Sequence, residues 1–331
     1  MRQRIEWVLA RSAFPVAIVA SVGGAIVLID GGRSPETVTG IVILLSYAWL
    51  ALLERVFPLH SEWGRSHGDL KTDVGLAVTN AVVNLGAQPL VLALAVGVAT
   101  WMSQTYGAAL WPTNWPLLAQ LVPALIIGEL VEYSCHRAMH EIPWLWRFHA
   151  PHHSAKRLYW FNALRFHPLD ILLIGPGKLL PLVALGADGR VLALVLIFSA
   201  VHGTYQHANL PCRLGPLNWV FSMAELHRWH HSPITAESNH NYGGNLIFWD
   251  ILFGTRWLPS DREPPVRTGI EDLPHFPPGF ASILASPFRW RKVVQESGAE
   301  TGFAAQGGPT LEAGRNGPAG LASPQASSPK P

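Results

Sequence analysis

Four apolar runs, at about 13–29, 38–57, 74–101 and 115–133, decide what this chain can fold into. Each approaches the roughly 20 residues that a helix needs to cross a bilayer. Inside lipid, backbone N–H and C=O groups have no water to bond, so runs of this kind become helices that satisfy their own backbone. Only 14% of the 331 residues are charged, well below the quarter or so usual in soluble domains, and the deficit is concentrated in those runs. The expected fold class is therefore all-α, an integral membrane helical bundle. Trp101, Trp111, Trp115, Trp144 and Trp146 flank the runs, as an interfacial aromatic belt would.

Charge in the connecting segments sets the orientation. The loop at 30–37 has one Arg against two acids, and the loop between Trp101 and Trp115 has no charge. The N-terminus, the segment at 58–73 and the stretch after Cys135 are basic, so they belong on the cytoplasmic side of a multi-pass inner membrane protein. Arg2, Arg4 and Arg11 precede the first run, and no small-residue cleavage site stands out before Asp30, so the run reads as an uncleaved anchor. Two shorter apolar stretches, 171–185 and 191–207, are separated by a turn at 186–189. The first carries Gly175, Pro176, Gly177, Lys178 and Pro181, which favours a hairpin that dips into the bilayer and returns. From Cys212 onward the chain is polar enough to be cytoplasmic. The expected divisions are an anchor at 1–37, a catalytic unit at 38–267 and an extension at 268–331, disordered from about 297 because it is rich in Gly, Ala, Pro and Ser.

Some functions are excluded. A net charge of +2 without clustered Lys and Arg gives no phosphate-binding face, so nucleic acid is not a partner. Cys135 and Cys212 are too few for a disulfide framework or a thiolate-rich zinc site.

Chemistry concentrates in the histidines. Eight of the 15 fall into three clusters, His136-Arg-Ala-Met-His140, His149-Ala-Pro-His152-His153 and His227-Arg-Trp-His230-His231, each near the end of an apolar segment or in the polar chain just beyond. Imidazole is nearly neutral at pH 7 and is the commonest metal-ligating side chain. Helical residues three and four apart share a face, so each cluster can aim two or three nitrogens at one point. A single cluster is compatible with interfacial histidines spaced by chance. Three on one side of a membrane supply too many ligands for one ion and indicate two, held in a histidine-rich helical cap at the cytoplasmic ends of the spans. Pro151 is tolerated in a helix's first turn, so a helix starting near Ala150 is expected, with His149 approaching from the preceding loop. His207, at the end of the second short stretch, is a further ligand candidate, while His202, His167 and His240 are left undecided. The zinc-protease pattern HExxH fails because Arg137 occupies the glutamate position.

A ligating imidazole usually donates its other N–H to a carboxylate or carbonyl. Glu132, one turn before His136, is the first choice for that supporting or catalytic carboxylate, with Asp170, Glu225 and Asp250 behind it. A carboxylate within an apolar span is costly and usually functional; the plain alternative is a helix-end acid reaching for water.

Those clusters, together with Leu164-Arg-Phe-His167-Pro-Leu-Asp170, Tyr205-Gln-His207-Ala-Asn209, Asn241-Tyr-Gly243 and Trp249-Asp-Ile-Leu-Phe-Gly-Thr255, resemble the fatty acid hydroxylase / sterol desaturase superfamily over 38–255. The resemblance implies a membrane-bound, O2-dependent, non-haem di-iron oxygenase that hydroxylates or desaturates a lipid C–H bond. By matching motifs it implies that His136, His140, His149, His152, His153, His227, His230 and His231 bind metal, with His207 in the weaker third position. Relatives often carry one more histidine four residues before that; the position is Gly203 here, with His202 beside it. Two iron ions are the expected cofactor, although nitrogen ligation alone also suits zinc or copper and a purified sample could carry zinc. The chain has no recognisable haem, flavin or iron–sulfur domain, so electrons are expected from a separate redox protein. Arg137, Arg147, Lys156 and Arg157 are either its docking site or a basic loop facing headgroups. Carotenoids and alkyl-glycerol ethers are alternative substrates. A metal transporter or sensor is the non-enzymatic alternative, disfavoured because its ligands should lie near the membrane midplane.

Overall fold

The computed structural model describes residues 1–107 and 110–299, and the tail expected to be disordered falls, from 300 on, outside the described residues. Every regular element among the described residues is helical. Helices α1 (Arg2–Asp30), α2 (Pro35–Val56), α3 (Leu70–Tyr106), α4 (Leu117–Glu141), α6 (Pro168–Leu185) and α7 (Gly189–His207) form the bundle. Helices α5 (Pro143–His153) and α8 (Ala224–His230) form most of the cap. Four short helices follow: α9 (Thr235–Ser238), α10 (Phe248–Leu252), α11 (Phe280–Ala285) and α12 (Trp290–Glu296).

Local chemistry sets the helix ends. Ser34 caps α2, accepting from Thr37 N at 3.2 Å, and Pro35 opens the first turn, where its missing N–H costs nothing. Asp188 caps α7 through the N–H groups of Arg190 and Val191. Gly186, in the left-handed region at φ 99°, closes α6.

Five helices, α1 to α4 and α6, are long and apolar enough to cross a membrane by length and composition. The first four correspond to the runs seen in the sequence. The α6–α7 pair is the expected hairpin in its connectivity, but α6 is an unbroken helix of 18 residues in spite of Pro176 and Pro181. It packs against both α3 and α4.

The chain threads up and down, so the C-terminal ends of α2, α4 and α7 share one end of the bundle with the N-terminal ends of α3 and α6. Asn209, just after α7, bonds the backbone of Leu59 and His60 after α2, and Arg213 N donates to Ala10 O in α1. At the opposite end Trp111 N donates to Leu185 O at 2.8 Å. Helix α7 is the hub: it packs on α1, α2 and α4, and Val191, Leu194, Val195, Ile197 and Val201 are fully buried there. Helix α3, by contrast, exposes Val82, Leu85, Leu90 and Leu94, the face of a helix that meets lipid. The stretch after the cap folds back on the bundle, with Ile283, Trp290 and Val293 making a small second core with Leu76 and Trp146.

Candidate metal centre

Helix α4 runs past its apolar portion to carry His136 and His140, as the spacing predicts. Helix α5 differs from expectation. It starts at Pro143, a residue preset for the first helical position, so Pro151 lies inside the helix and His149 stands on the helix with His152 and His153. Helix α7 ends at His207, while α8 supplies His227 and His230, with His231 just after its end.

All nine sequence-selected histidines converge at this end of the bundle, and none is more than 7% exposed. They divide into two groups. His136, His140, His149, His153 and His230 form one; His152, His207, His227 and His231 form the other. Within each, the ligand-capable nitrogens all lie within 4.8 Å of one another. The helical repeat explains the division. On α5, His149 and His153 are four apart and join the group of five, while His152, on the next face, joins the group of four. On α8 the pattern reverses: His227 and His231 join the group of four and His230 the group of five.

The hydrogen bonds fix which nitrogen of many rings is bare. The Nδ1–H of His136 donates to Tyr242 O at 2.7 Å and that of His230 to His240 O at 2.8 Å. His149 Nδ1–H donates to the buried Asp170 carboxylate at 2.7 Å. Those oxygens only accept, so each Nδ1 carries the proton and each Nε2 presents a lone pair. Yet His136 Nε2 lies 3.0 Å from both His149 Nε2 and His230 Nε2. Bare lone pairs so close repel unless a cation lies between them. Nitrogens about 2.0–2.1 Å from an ion at right angles would stand about 3 Å apart, so the donor set fits a metal. In the group of four, His227 Nε2 is 2.9 Å from His207 Nε2 and 3.1 Å from His231 Nε2. Burial, then the neighbouring imidazoles, holds His152, His153, His227 and His231 well below the usual imidazole range, and burial pushes His230 down to about 3. The rings stay neutral, the form that binds a metal.

The supporting partners differ from the sequence ranking. Asp170, in the first turn of α6, is the carboxylate on a ring; Glu132 touches none of the nine. Glu132 instead pairs with Lys178 at 2.5 Å and accepts from Asn245 Nδ2 at 3.2 Å. Asn239 Oδ1 accepts from His140 at 3.1 Å, and Asn162 Oδ1 from His207 at 3.1 Å; sequence reasoning passed over both asparagines. His167 caps α6, His240 supplies only its carbonyl, and His202 lies among Phe14, Phe198 and Phe221, outside both groups. Arg157 is buried and pairs with Asp69 at 2.6 Å while donating to Trp63 O, so it is not free to dock a partner.

A cavity of about 320 Å³ opens onto the centre. His136, His149, His152, His207 and His227 form one wall, Phe166, Ile174, Leu196 and Ala200 an apolar one, and Glu132 with Asn245 a polar corner. Its lining suits a molecule with an apolar portion and one polar part.

Comparison with known proteins agrees with this geometry. The fatty acid hydroxylase family profile matches residues 121–255, from within α4 to beyond α10. Ornithine lipid hydroxylase OlsE of Rhizobium tropici is 38% identical over 251 residues, 75% of each chain. Human alkylglycerol monooxygenase is 32% identical over 127 residues, which cover 37% of this chain and 27% of the relative. Methylsterol monooxygenase 1 of Danio rerio is 28% identical over 150 residues, 44% of this chain and 50% of the relative. No solved structure matches.

Proposed function

The chain belongs to the fatty acid hydroxylase family, and on that premise we propose that it is a membrane lipid hydroxylase whose nine clustered histidines hold two iron ions. The family and its named hydroxylase and monooxygenase relatives make it an O2-dependent oxidoreductase acting on lipids, and its five long apolar helices make it a membrane protein. The observation that carries the two-ion reading is the division of the rings into a group of five and a group of four, with facing Nε2 atoms left bare. Bound there, the iron pair would supply the O2 activation and C–H cleavage that acid–base side chains cannot.

The chain's own residues do the rest. Asp170, Asn239, Asn162 and the carbonyls of Tyr242, His240 and Arg165 hold ring nitrogens from behind and fix the direction of each imidazole. The apolar wall seats the hydrocarbon and excludes water from the centre. Glu132, beside Lys178, and Asn245 accept hydrogen bonds from the polar part of the lipid. Acceptors in that corner suit a lipid with donor groups in its head, as an amino-acid lipid has, and a relative that matches three quarters of this chain is named for ornithine lipid. On this reading O2 is the co-substrate and electrons arrive from a separate redox protein, and the basic loops favour the cytoplasmic side for the centre.

The test is isotopic. Iron-loaded protein with a reducing system, given ornithine lipid under 18O2, should put one labelled oxygen into the product, and His230→Ala should put in none. An unlabelled lipid, or full turnover by His230→Ala, would refute the reading. Zinc-loaded protein should bind the lipid and leave it unchanged.

A further inference from the structure

The region after α7 reads as a polar cap, yet part of it lies far from the cap's level. Trp249 Nε1 donates to Ile126 O at 3.1 Å. Ile126 is ten residues N-terminal to His136 on α4, about 15 Å down the helix axis at 1.5 Å per residue, and so near the middle of the span. Phe253 stacks on Tyr133 with ring centroids 5.4 Å apart, and Tyr133 OH bonds Thr255 Oγ1. The chain at 249–255 therefore runs alongside α4 from mid-span back up to the cap.

The side chains it turns outward are apolar. Trp219 is 60% exposed, Val220 48%, Phe248 48%, Leu252 59% and Phe253 49%. On α4 itself Val122, Ile126 and Leu130 are exposed too, so one apolar surface continues from a membrane-spanning helix onto this segment. The two carboxylates turn inward, and several backbone N–H groups are bonded within the protein. Asp250 accepts from Tyr242 N and Gly243 N, Glu129 accepts from Asn245 N, and Ile247 N donates to Val220 O. Gly243 and Gly244 make the close approach possible, since a Cβ on Gly244 would overlap the Glu132 carboxylate. Irregular backbone persists at membrane depth only when its N–H and C=O groups are bonded within the protein, and the N–H groups of Tyr242, Gly243, Asn245 and Ile247 are so bonded, three of them by carboxylates that touch no candidate ligand ring.

We infer that the paired segments 217–221 and 246–253 form a re-entrant hairpin inserted into the hydrocarbon of the bilayer against α4, with acyl chains as the partner of its outer face. Glu129 and Asp250 then hold backbone N–H groups that neither water nor a regular ladder can reach. Gly243, Gly244 and Asn245, which lead into the hairpin, line the cavity. This inference does not rest on which metal the histidines hold or on which lipid is oxidised.

Spin labels test it in the full chain reconstituted into phosphatidylcholine nanodiscs. With Cys135 and Cys212 replaced, Leu252→Cys and, as a second site, Phe248→Cys carry a nitroxide whose collision rates with oxygen and with a nickel chelate are read by power saturation. Leu94→Cys on α3 marks the hydrocarbon, and Asp261→Cys marks water. Both test sites should show an oxygen-to-nickel ratio like that of Leu94→Cys and several-fold above that of Asp261→Cys. A ratio like that of Asp261→Cys at both sites overturns the inference. So does poor access to both reagents, which would mean that protein, such as a second copy of the chain, covers the face.

Discussion

The two histidine groups are built from the same helices but supported differently. In the group of five, four rings are held from behind: His136 by Tyr242 O, His140 by Asn239, His149 by Asp170 and His230 by His240 O. In the group of four, His152 and His207 have such a partner, while Nδ1 of His227 and of His231 is buried without a hydrogen bond. The carboxylate that touches a ring belongs to the group of five. Exposure to the cavity runs the other way, with three of the four rings lining it against two of the five. One site is thus braced and nearly closed, the other looser and turned toward the space where a lipid would lie. A pair of ions held this way would be unequal, the braced one retained and the looser one reached first by what enters the cavity.

The strongest way to break that contrast is to remove one ring from each group. His140→Ala and His227→Ala should each abolish turnover and each lower the metal content by one ion per chain, measured by elemental analysis. If either substitution removes both ions, the groups are one site. Next in size, Asp170→Asn should weaken metal retention at the group of five about 10–100-fold. Titration with a chelator should show that loss in one of two phases, leaving the other unchanged. A uniform loss in both phases would deny that the support is local.

Acid sharpens the contrast without mutation. The folded pKa of His230 lies near 3 while an unfolded imidazole titrates near about 6.5. Between these values the unfolded chain binds more protons, so this ring's contribution to metal-free stability is complete above about pH 6.5 and is lost as the pH falls toward 3. For His230 alone the loss reaches about 2 kcal/mol at pH 5. His152, His153, His227 and His231 shift in the same direction. The Tm of the metal-free protein in detergent should therefore drop between pH 7 and pH 5, and bound metal should move that drop to lower pH. A flat Tm would mean that the rings are not neutral and buried. The smallest effect is expected from Asn239→Ala, which removes a neutral acceptor from His140 and should cost about 1 kcal/mol of metal-free stability.

The sequence and the structure part company in instructive places. Histidines repeated at three- and four-residue spacings are legible because a helix's own period brings them to one face. The division into five and four is not, because His152 and His230 leave their neighbours' groups only once α5 and α8 face each other. Glu132 ranked above Asp170 because the sequence shows its distance from His136 along α4. It does not show that α6 enters beside α5 with Asp170 in its first turn. Pro151 suggested a helix start, but Pro143 eight residues earlier is the actual one, and a helix can absorb one interior proline near its end. The depth of Phe248–Leu252 is hidden for another reason. Five residues with Asp250 among them look like loop until the acid proves to face inward and bond backbone.

Both groups draw on α4 or α7 and on α8, so neither is complete before the polypeptide has been made past residue 231. The helices long and apolar enough to span, α1 to α4 and α6, all precede that point in the chain. If the imidazoles hold metal as proposed, loading would be a late event, and the newly inserted chain would keep a set of buried, mutually facing imidazoles open until the ions arrive. Metal starvation should accordingly leave a fully threaded protein that is fragile at one end, rather than one that fails to enter the membrane.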